Sequence, residues 1–349
     1  MLTESGHSAD SLPLWQMEKV LKEELGEKWR DQLADFDPQP LAAASIGQVH
    51  SVVLHSGQCA AMKIQYPGVA QSIDSDIDNL MGILKLWNIL PEGLFVDELV
   101  TVARKELAWE TDYIREAKCQ NMFRELLAND PGYLVPEVFP ELSTKRVLTT
   151  ELIQGLPLDQ CVSLPQEIRN DIAARVLDLV MRELFEFRFM QTDPNWSNFF
   201  YNPDDNRICL LDFGASREYP KMFTDHYLKV IHGSIMEDRD RVLESSKAMG
   251  FLTGYESKTL LDAHYQASLI LGEPFKQDAP FDFGHQDTTA KIQRLFPVIL
   301  GHRLTPPPDE SYSLHRKLSG AFFLCTRLQA SFNCHTIYQR ISQHHTLSD

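Results

Sequence analysis

Gln191 to Gly214 reads QTDPNWSNFFYNPDDNRICLLDFG. Asp193 is followed five positions later by Asn198, and fourteen further on by Asp212 in an Asp-Phe-Gly triplet. Between them lie an apolar turn (Phe199, Phe200, Tyr201), a polar turn (Asn202 to Asn206) and an apolar run (Ile208, Cys209, Leu210, Leu211). The pattern predicts a catalytic loop, a strand, a hairpin turn, a second strand and a metal-binding loop. Spacing of this kind suits a metal–nucleotide site. In phosphoryl transfer a loop aspartate acts as base, while an asparagine and a second aspartate hold Mg²⁺.

Upstream, the chain supplies what such a site needs. Val49–Leu54 and Cys59–Ile64 are β-prone and separated by His55-Ser56-Gly57-Gln58, a glycine-containing turn. Ala42-Ala43-Ala44-Ser45 reads as a tight small-residue loop before this hairpin, where backbone N–H groups can approach a phosphate. Lys63, in Ala-Ala-Met-Lys-Ile, compares with the strand lysine that bridges the α- and β-phosphates in kinases. A helical pattern from Val96 to about Leu126 carries Glu110, Asp112 and Glu116. One of these acids should pair with a buried Lys63 and fix its rotamer. The choice falls on Glu116, with Glu110 and Asp112 as alternatives or as solvated helix acids. Val135–Phe139 and Arg146–Leu152 read as two more strands, ending in a hinge whose Glu151, Leu152 and Ile153 would offer backbone groups to an adenine edge.

The remaining segments are mostly helical. Leu14, Met17, Leu21, Leu25, Trp29, Leu33 and Phe36 recur at helical spacing and predict one amphipathic helix, closed by Asp37-Pro38 and packed on the body. A second amphipathic pattern covers Ser72 to about Leu90. Ser163 and Gln166 suggest a capping box for a helix running to about Phe189. After Gly214, helices are expected over 221–235, 238–249, 256–271, 288–300 and 312–341. The expected organisation is a flexible leader (1–13), an amphipathic helix (14–37), a small lobe (39–153), and a lobe over 154–349 with a helical C-terminal extension. The fold class is α+β and bilobal, a small mixed β/α lobe beside a mostly helical one, the shape of a protein kinase.

Composition narrows the function. With 33 basic and 49 acidic residues the formal charge is −16, which argues against a nucleic-acid surface. Residues 280–349 run the other way, with seven Lys/Arg (Lys291, Arg294, Arg303, Arg316, Lys317, Arg327, Arg340) against five acids. These are read as a solvated helical face, with contact to anionic lipid as the sharper alternative. Six scattered cysteines without a C-x-x-C pair predict free, mostly buried thiols. No run approaches the ~18 apolar residues of a membrane span, and the first residues, polar and acidic, do not read as a targeting segment.

AAASIGQV, AMKIQYPG, ELAWETDY-REA, FMQTDPNWSNFFY and LLDFGASREY together resemble the UbiB/ADCK atypical kinase-like family, in its animal mitochondrial branch supporting coenzyme Q biosynthesis. The likeness runs from about Trp15 to His345. It implies a protein-kinase-like fold, ATP and Mg²⁺ as cofactors, and an ATPase-type role at the matrix face of the mitochondrial inner membrane. The implied partners are subunits of the ubiquinone-biosynthetic complex, lipid or prenyl-quinone precursors and an anionic membrane surface. It also implies that the alanine-rich stretch replaces a glycine-rich loop and that Glu110-x-Asp112 is a family acidic motif. No Lys-x-Gly-Gln motif is found in this sequence; by the resemblance, that extension, a presequence and a membrane-proximal helix would lie upstream of a truncated or alternative form.

Against protein kinases generally, Gln191 stands where a histidine is usual and Asn195 where a lysine meets the γ-phosphate. No Ala-Pro-Glu segment follows Asp-Phe-Gly. Loss of the lysine charge weakens stabilisation of the transferring phosphoryl group. ATP hydrolysis or small-molecule (prenyl-lipid) phosphotransfer is therefore expected rather than protein phosphorylation. The expected assignment gives Lys63 the phosphates, Asp193 the base or water-positioning role, and Asn198 and Asp212 the metal. A nucleotide-switched pseudokinase or a scaffold is the alternative.

Overall fold

The structure, a computed structural model, describes residues 12–86 and 95–344. The expected leader lies outside these residues but for Leu12 and Pro13, as do positions 87–90 of the second amphipathic pattern. In chain order the described elements begin with α1 (Leu14–Leu25), β1 (Asp35–Ala44), β2 (Gly47–Val53), β3 (Cys59–Gln65), α2 (Val69–Leu86), α3 (Val96–Glu110), α4 (Tyr113–Leu126), β4 (Tyr133–Leu134) and β5 (Val147–Glu151). They continue with β6 (Leu156–Pro157), α5 (Gln166–Arg182), β7 (Phe189–Gln191), β8 (Phe199–Asn202), β9 (Arg207–Leu210) and β10 (Ser216–Glu218). Last come α6 (Lys221–Ile235), α7 (Arg239–Met249), α8 (Lys258–Gly272), β11 (Phe281–Asp282), α9 (Thr288–His302), α10 (Asp309–Arg327), β12 (Ser331–Phe332) and α11 (His335–His344). The chain forms two compact units, Met1–Ile83 with Ala103–Gly155 and Asn198–Ala215, and Leu84–Val102 with Leu156–Ser197 and Ser216–Asp349.

The first unit is built on an antiparallel sheet in the order β1-β2-β3-β5. Alternation along β3 sends Ala60, Met62 and Ile64 to one buried face and Lys63 to the other. On the buried face they meet Met17, Val20 and Leu21 of α1, with Trp29, Phe36 and Val147. Trp29 and Phe36 pack edge to face at 5.1 Å. Arg146 fastens α1 to the start of β5 through Glu23 and Glu24, each at 2.7 Å. A smaller group of strands in this unit pairs β4 parallel to β9 and β8 antiparallel to β9.

Several expectations change here. The single helix over 14–36 ends at Gly26, whose φ of 91° suits glycine; Trp29–Gln32 form one tighter turn and Phe36 lies on β1. Leu14 is exposed, but from Met17 onward the apolar stripe is real as burial and continues through three kinds of backbone. Asp37-Pro38 terminates nothing. Pro38 and Pro40 sit in an edge strand, and the register shifts on either side of Pro40, where a missing N–H costs no regular rung. The expected helix over 96–126 breaks at Thr111-Asp112, giving α3 and α4. Val135–Phe139 makes only an isolated bridge, Val138 to Thr150, because Pro136 and Pro140 flank it.

The second unit is mostly helical, with β7 paired to β10 and β11 to β12. The capping box is absent. Pro165 holds the cap position of α5 in extended backbone, and Gln166 instead bonds Asn170 and the Gln329 carbonyl. α5 passes at Arg182 into a wider turn, Glu183–Phe187, so Phe189 lies on a strand. The helix expected over 312–341 is two, α10 and α11, separated by β12. Cys59 is exposed and the other five cysteines are buried thiols. Among the described residues no helix is long and apolar enough to cross a membrane.

Leu21, fully buried between α1 and the sheet, gives a direct test of this packing. Leu21→Ala should lower stability by about 3 kcal/mol, read by urea denaturation. Exposed Lys19→Ala should change it by less than about 0.5 kcal/mol.

Candidate functional site

On the face of β3 opposite the α1 core, the Lys63 ammonium meets two carboxylates. It donates to both Glu116 oxygens, at 3.1 and 3.2 Å, and to Asp212 Oδ2 at 3.1 Å. The Tyr113 ring centroid lies 5.0 Å from Nζ. Glu116 occupies the first turn of α4, and that turn exists because Asp112 caps it: its carboxylate accepts from the Arg115 N–H at 3.1 Å. Glu110 ends α3, with its Cα close to Gly214. Glu116 and Asp112 thus do different jobs, one pairing the lysine and the other capping its helix.

Asp212 reaches the lysine from the end of β9. Phe213, fully buried, packs on Phe123 of α4 at 5.2 Å, and Gly214 N–H donates to Asp212 Oδ1 at 3.0 Å. Arg115 donates to the Gly214 carbonyl at 2.8 Å. These contacts fix the Asp-Phe-Gly segment against the start of α4.

One cation here faces two carboxylates, Glu116 fully buried and Asp212 partly accessible. Burial disfavours charge on Lys63, but Asp212 and Glu116 outweigh it and hold its pKa well above the ordinary value. Burial pushes Glu116 up to about 7, against Lys63 and with help from Asp212. For Asp212 burial is likewise unfavourable, but Lys63 and the Gly214 N–H hold its pKa below the ordinary value. Its side chain is 28% accessible, against 1% for Glu116. Asp212 is therefore the carboxylate that stays ionised and reachable. Asn198 stands beside it at the same end of the β8–β9 hairpin, because the Asn198 carbonyl accepts from the Leu211 N–H at 3.0 Å. A carboxylate and an amide are the hard oxygen donors that Mg²⁺ takes alongside water and phosphate, so this pair fits that ion.

Ala42, Ala43 and Ala44 are not a loop ahead of the hairpin. They form the last rungs of β1, opposite Val49, Gln48 and Gly47, and Ser45-Ile46 make the turn. Small-residue backbone still lies exposed there, as the tip of the β1–β2 hairpin. At the end of β5, the Glu151 N–H donates to the Glu137 carbonyl at 2.8 Å and the Leu152 N–H to Cys59 at 3.3 Å. A purine edge at Glu151-Leu152-Ile153 would have to use other groups than those two N–H donors.

Asp193 belongs to the second unit. Its Oδ1 accepts from the Asn195 N–H at 3.0 Å, and its carbonyl accepts from Lys317 Nζ at 3.1 Å. Lys317 also donates to Gln191 Oε1 at 2.6 Å and lies 4.7 Å from the Trp196 ring centroid. Trp196 in turn donates to the Gly320 carbonyl at 2.8 Å, and a side chain on Gly320 would start 2.6 Å from Pro194 Cβ. α10 is thus the splint of the Gln191–Trp196 loop.

Lys317 corrects the reading of the basic tail as a solvated face, since it is 1% accessible. The signal was present: Leu314, Lys317, Leu318, Ala321, Leu324 and Cys325 recur at helical spacing, with the lysine inside the apolar stripe. Glu183 interrupts the stripe of α5 in the same way and is fully buried, with neither carboxyl oxygen hydrogen-bonded. Burial pushes Glu183 up to about 8, with Lys317 opposing, and pushes Lys317 down to about 8, with Glu183 opposing.

The family described as the ABC1 atypical kinase-like domain matches residues 6–246. Over 331 residues the chain is 60% identical to a Danio rerio protein named Atypical kinase COQ8B, mitochondrial, covering 95% of this chain and 53% of that protein. It is 44% identical over 343 residues to Atypical kinase COQ8, mitochondrial, of Saccharomyces cerevisiae, covering 98% and 68%. The chain thus spans about half to two thirds of the length of these curated relatives. Among solved structures, the complex of Rv3197 with erythromycin from Mycobacterium tuberculosis aligns with a TM-score of 0.75 at 24% identity, over 95% of this chain and 84% of that one. That likeness establishes the fold.

Lys63→Met leaves Glu116 and Asp212 without their cation and should cost about 3 kcal/mol or more. Adding Glu116→Gln should restore much of the loss, so a double-mutant cycle by urea denaturation will show strong coupling. For Glu183 the folded pKa is raised from 4.5 to about 8. Its favourable contribution is complete below 4.5 and is lost as pH rises through 8. Wild type should therefore lose stability relative to Glu183→Gln across that window, measured by denaturation at each pH. Lys317 has the opposite slope above about 8 in the wild type.

Proposed function

Because the chain belongs to the ABC1 atypical kinase-like family, the UbiB/ADCK proteins, we propose that it binds ATP with Mg²⁺ and turns it over in support of ubiquinone biosynthesis. The observation that carries this reading is the Lys63 ammonium held between Glu116 and Asp212. A phosphate entering this cluster would exchange for one carboxylate on Lys63, leaving Glu116 to keep the lysine in place. Asp212 and Asn198 would hold Mg²⁺, which when bound neutralises charge on the phosphoryl oxygens. Asp193, its loop held by Lys317, would accept the proton of the attacking water or hydroxyl. The hairpin tip at Ala42–Ser45 would cover the phosphates, and Glu151 to Ile153 would face the base.

The reaction proposed is ATP hydrolysis or transfer to a small lipid-like precursor, not to a protein. Two features support this choice. Asn195 brings no charge to the γ-phosphate, and its amide oxygen is engaged by Ser197 at 2.6 Å. After Gly214 the chain enters β10 and then α6 almost at once, leaving no segment long enough for a peptide platform. Mitochondrial location at the matrix face of the inner membrane, and work alongside the other biosynthetic enzymes, are proposed from the relatives. A nucleotide-driven switch without turnover is the second reading, and the missing lysine at Asn195 favours it.

Purified protein should release ADP in a Mg²⁺-dependent manner, and Asp212→Asn should lower the rate by about a hundredfold or more. Thermal stabilisation by ATP and Mg²⁺ with no ADP released would instead establish the switch and overturn turnover.

A further inference from the structure

The helices of the second unit enclose a cavity of about 800 Å³, within the ~300–1,000 Å³ range typical of small-ligand sites. Its walls come from α6 to α10 and from Pro194 and Trp196. They are apolar, and several large side chains are left accessible inside it: Phe323 at 63%, Phe296 at 54% and Ile292 at 37%. Apolar surface gathered in a concavity, rather than scattered singly, marks a place for a ligand.

The charged groups in the wall, Arg303 and Arg316, are of one sign. Arg303 lines the cavity and makes no hydrogen bond or ion pair among the described residues. Beside it stand His264, which bonds Ser246 Oγ at 2.8 Å, and His315, stacked on Phe251 at 5.8 Å. Burial, then the charge of Arg303, push both imidazoles down to about 4, so they are neutral near pH 7 and available for hydrogen bonds. Glu256, within electrostatic reach of His264, is taken up by the N–H groups of Thr253 and Gly254. A guanidinium without an acid at the edge of apolar walls calls for an anion, and its planar fork matches carboxylate and phosphate.

We propose that this cavity binds a single-chain amphiphile, its carboxylate or phosphate head on Arg303 and its acyl or alkyl tail along Phe296, Phe322 and Phe323. Every lining residue belongs to the second unit, so the site does not rest on the nucleotide assignments above.

Trp196 in the wall is a built-in reporter. Oleate, hexadecyl phosphate, oleyl alcohol and acetate are titrated into the intact chain below micelle-forming concentrations, followed by tryptophan fluorescence and calorimetry. Oleate or the alkyl phosphate should bind saturably with one-to-one stoichiometry, the tighter of the two identifying the head, and acetate should not bind. Arg303→Gln should weaken the anionic amphiphiles roughly tenfold or more and leave the alcohol unchanged. Ala267→Phe, which fills the cavity, should weaken all three chains. Should Ala267→Phe fail to fold, Ser319→Trp fills the opposite wall. Absence of saturable binding, or oleate affinity unmoved by Arg303→Gln and by the filling variant, overturns the proposal.

Discussion

The ammonium of Lys63 between two carboxylates is the contact on which the first unit turns. Burying three charges is unfavourable unless each meets a partner, and removing any one strands another. Three segments far apart in the chain must therefore arrive together. Pleat alternation on β3 presents the lysine, a capped helix start presents Glu116, and the end of the β8–β9 hairpin presents Asp212. The break between α3 and α4 serves this end. The Asp112 cap stabilises the helix start that gives Glu116 its first-turn position, from which it reaches Nζ.

The second unit shows the same economy with a different chemistry. Lys317 lies buried within the apolar stripe of α10. It holds Gln191 and the Asp193 carbonyl, both neutral acceptors, while the Glu183 carboxyl lies buried without a hydrogen bond. These hydrogen bonds tie α10 to the Gln191–Asp193 segment.

Much of this was legible in the sequence. Asp193, Asn198 and Asp212 with a hairpin between them, and Lys63 on a strand, follow from motif spacing and two-residue alternation. The Glu116 pairing was the favoured choice among three acids; its reason, the cap at Asp112, was not visible because Thr111-Asp112 interrupts a pattern that stays apolar at helical spacing on both sides. The α1 region misled for a related cause: burial periodicity persists from Met17 to Phe36 although Gly26 ends the helix. Lys317 and Glu183 escaped because charge was read as solvent exposure, when their positions inside apolar stripes pointed inward. The partners that make such burial tolerable lie more than a hundred residues away for Lys317, and no local pattern announces them.

That separation has a consequence in time. Lys317 stands 126 residues after Gln191 and 124 after Asp193. At ribosomal rates of 5–20 residues per second, the splint is synthesised roughly 6 to 25 s after the loop it holds. For most of that interval the growing chain carries every residue of the Asp193–Asp212 motif without the lysine that holds the Gln191 side chain and the Asp193 carbonyl. The hold of α10 on this loop is thus a late event in the life of each molecule, added to the contacts that the motif makes within itself.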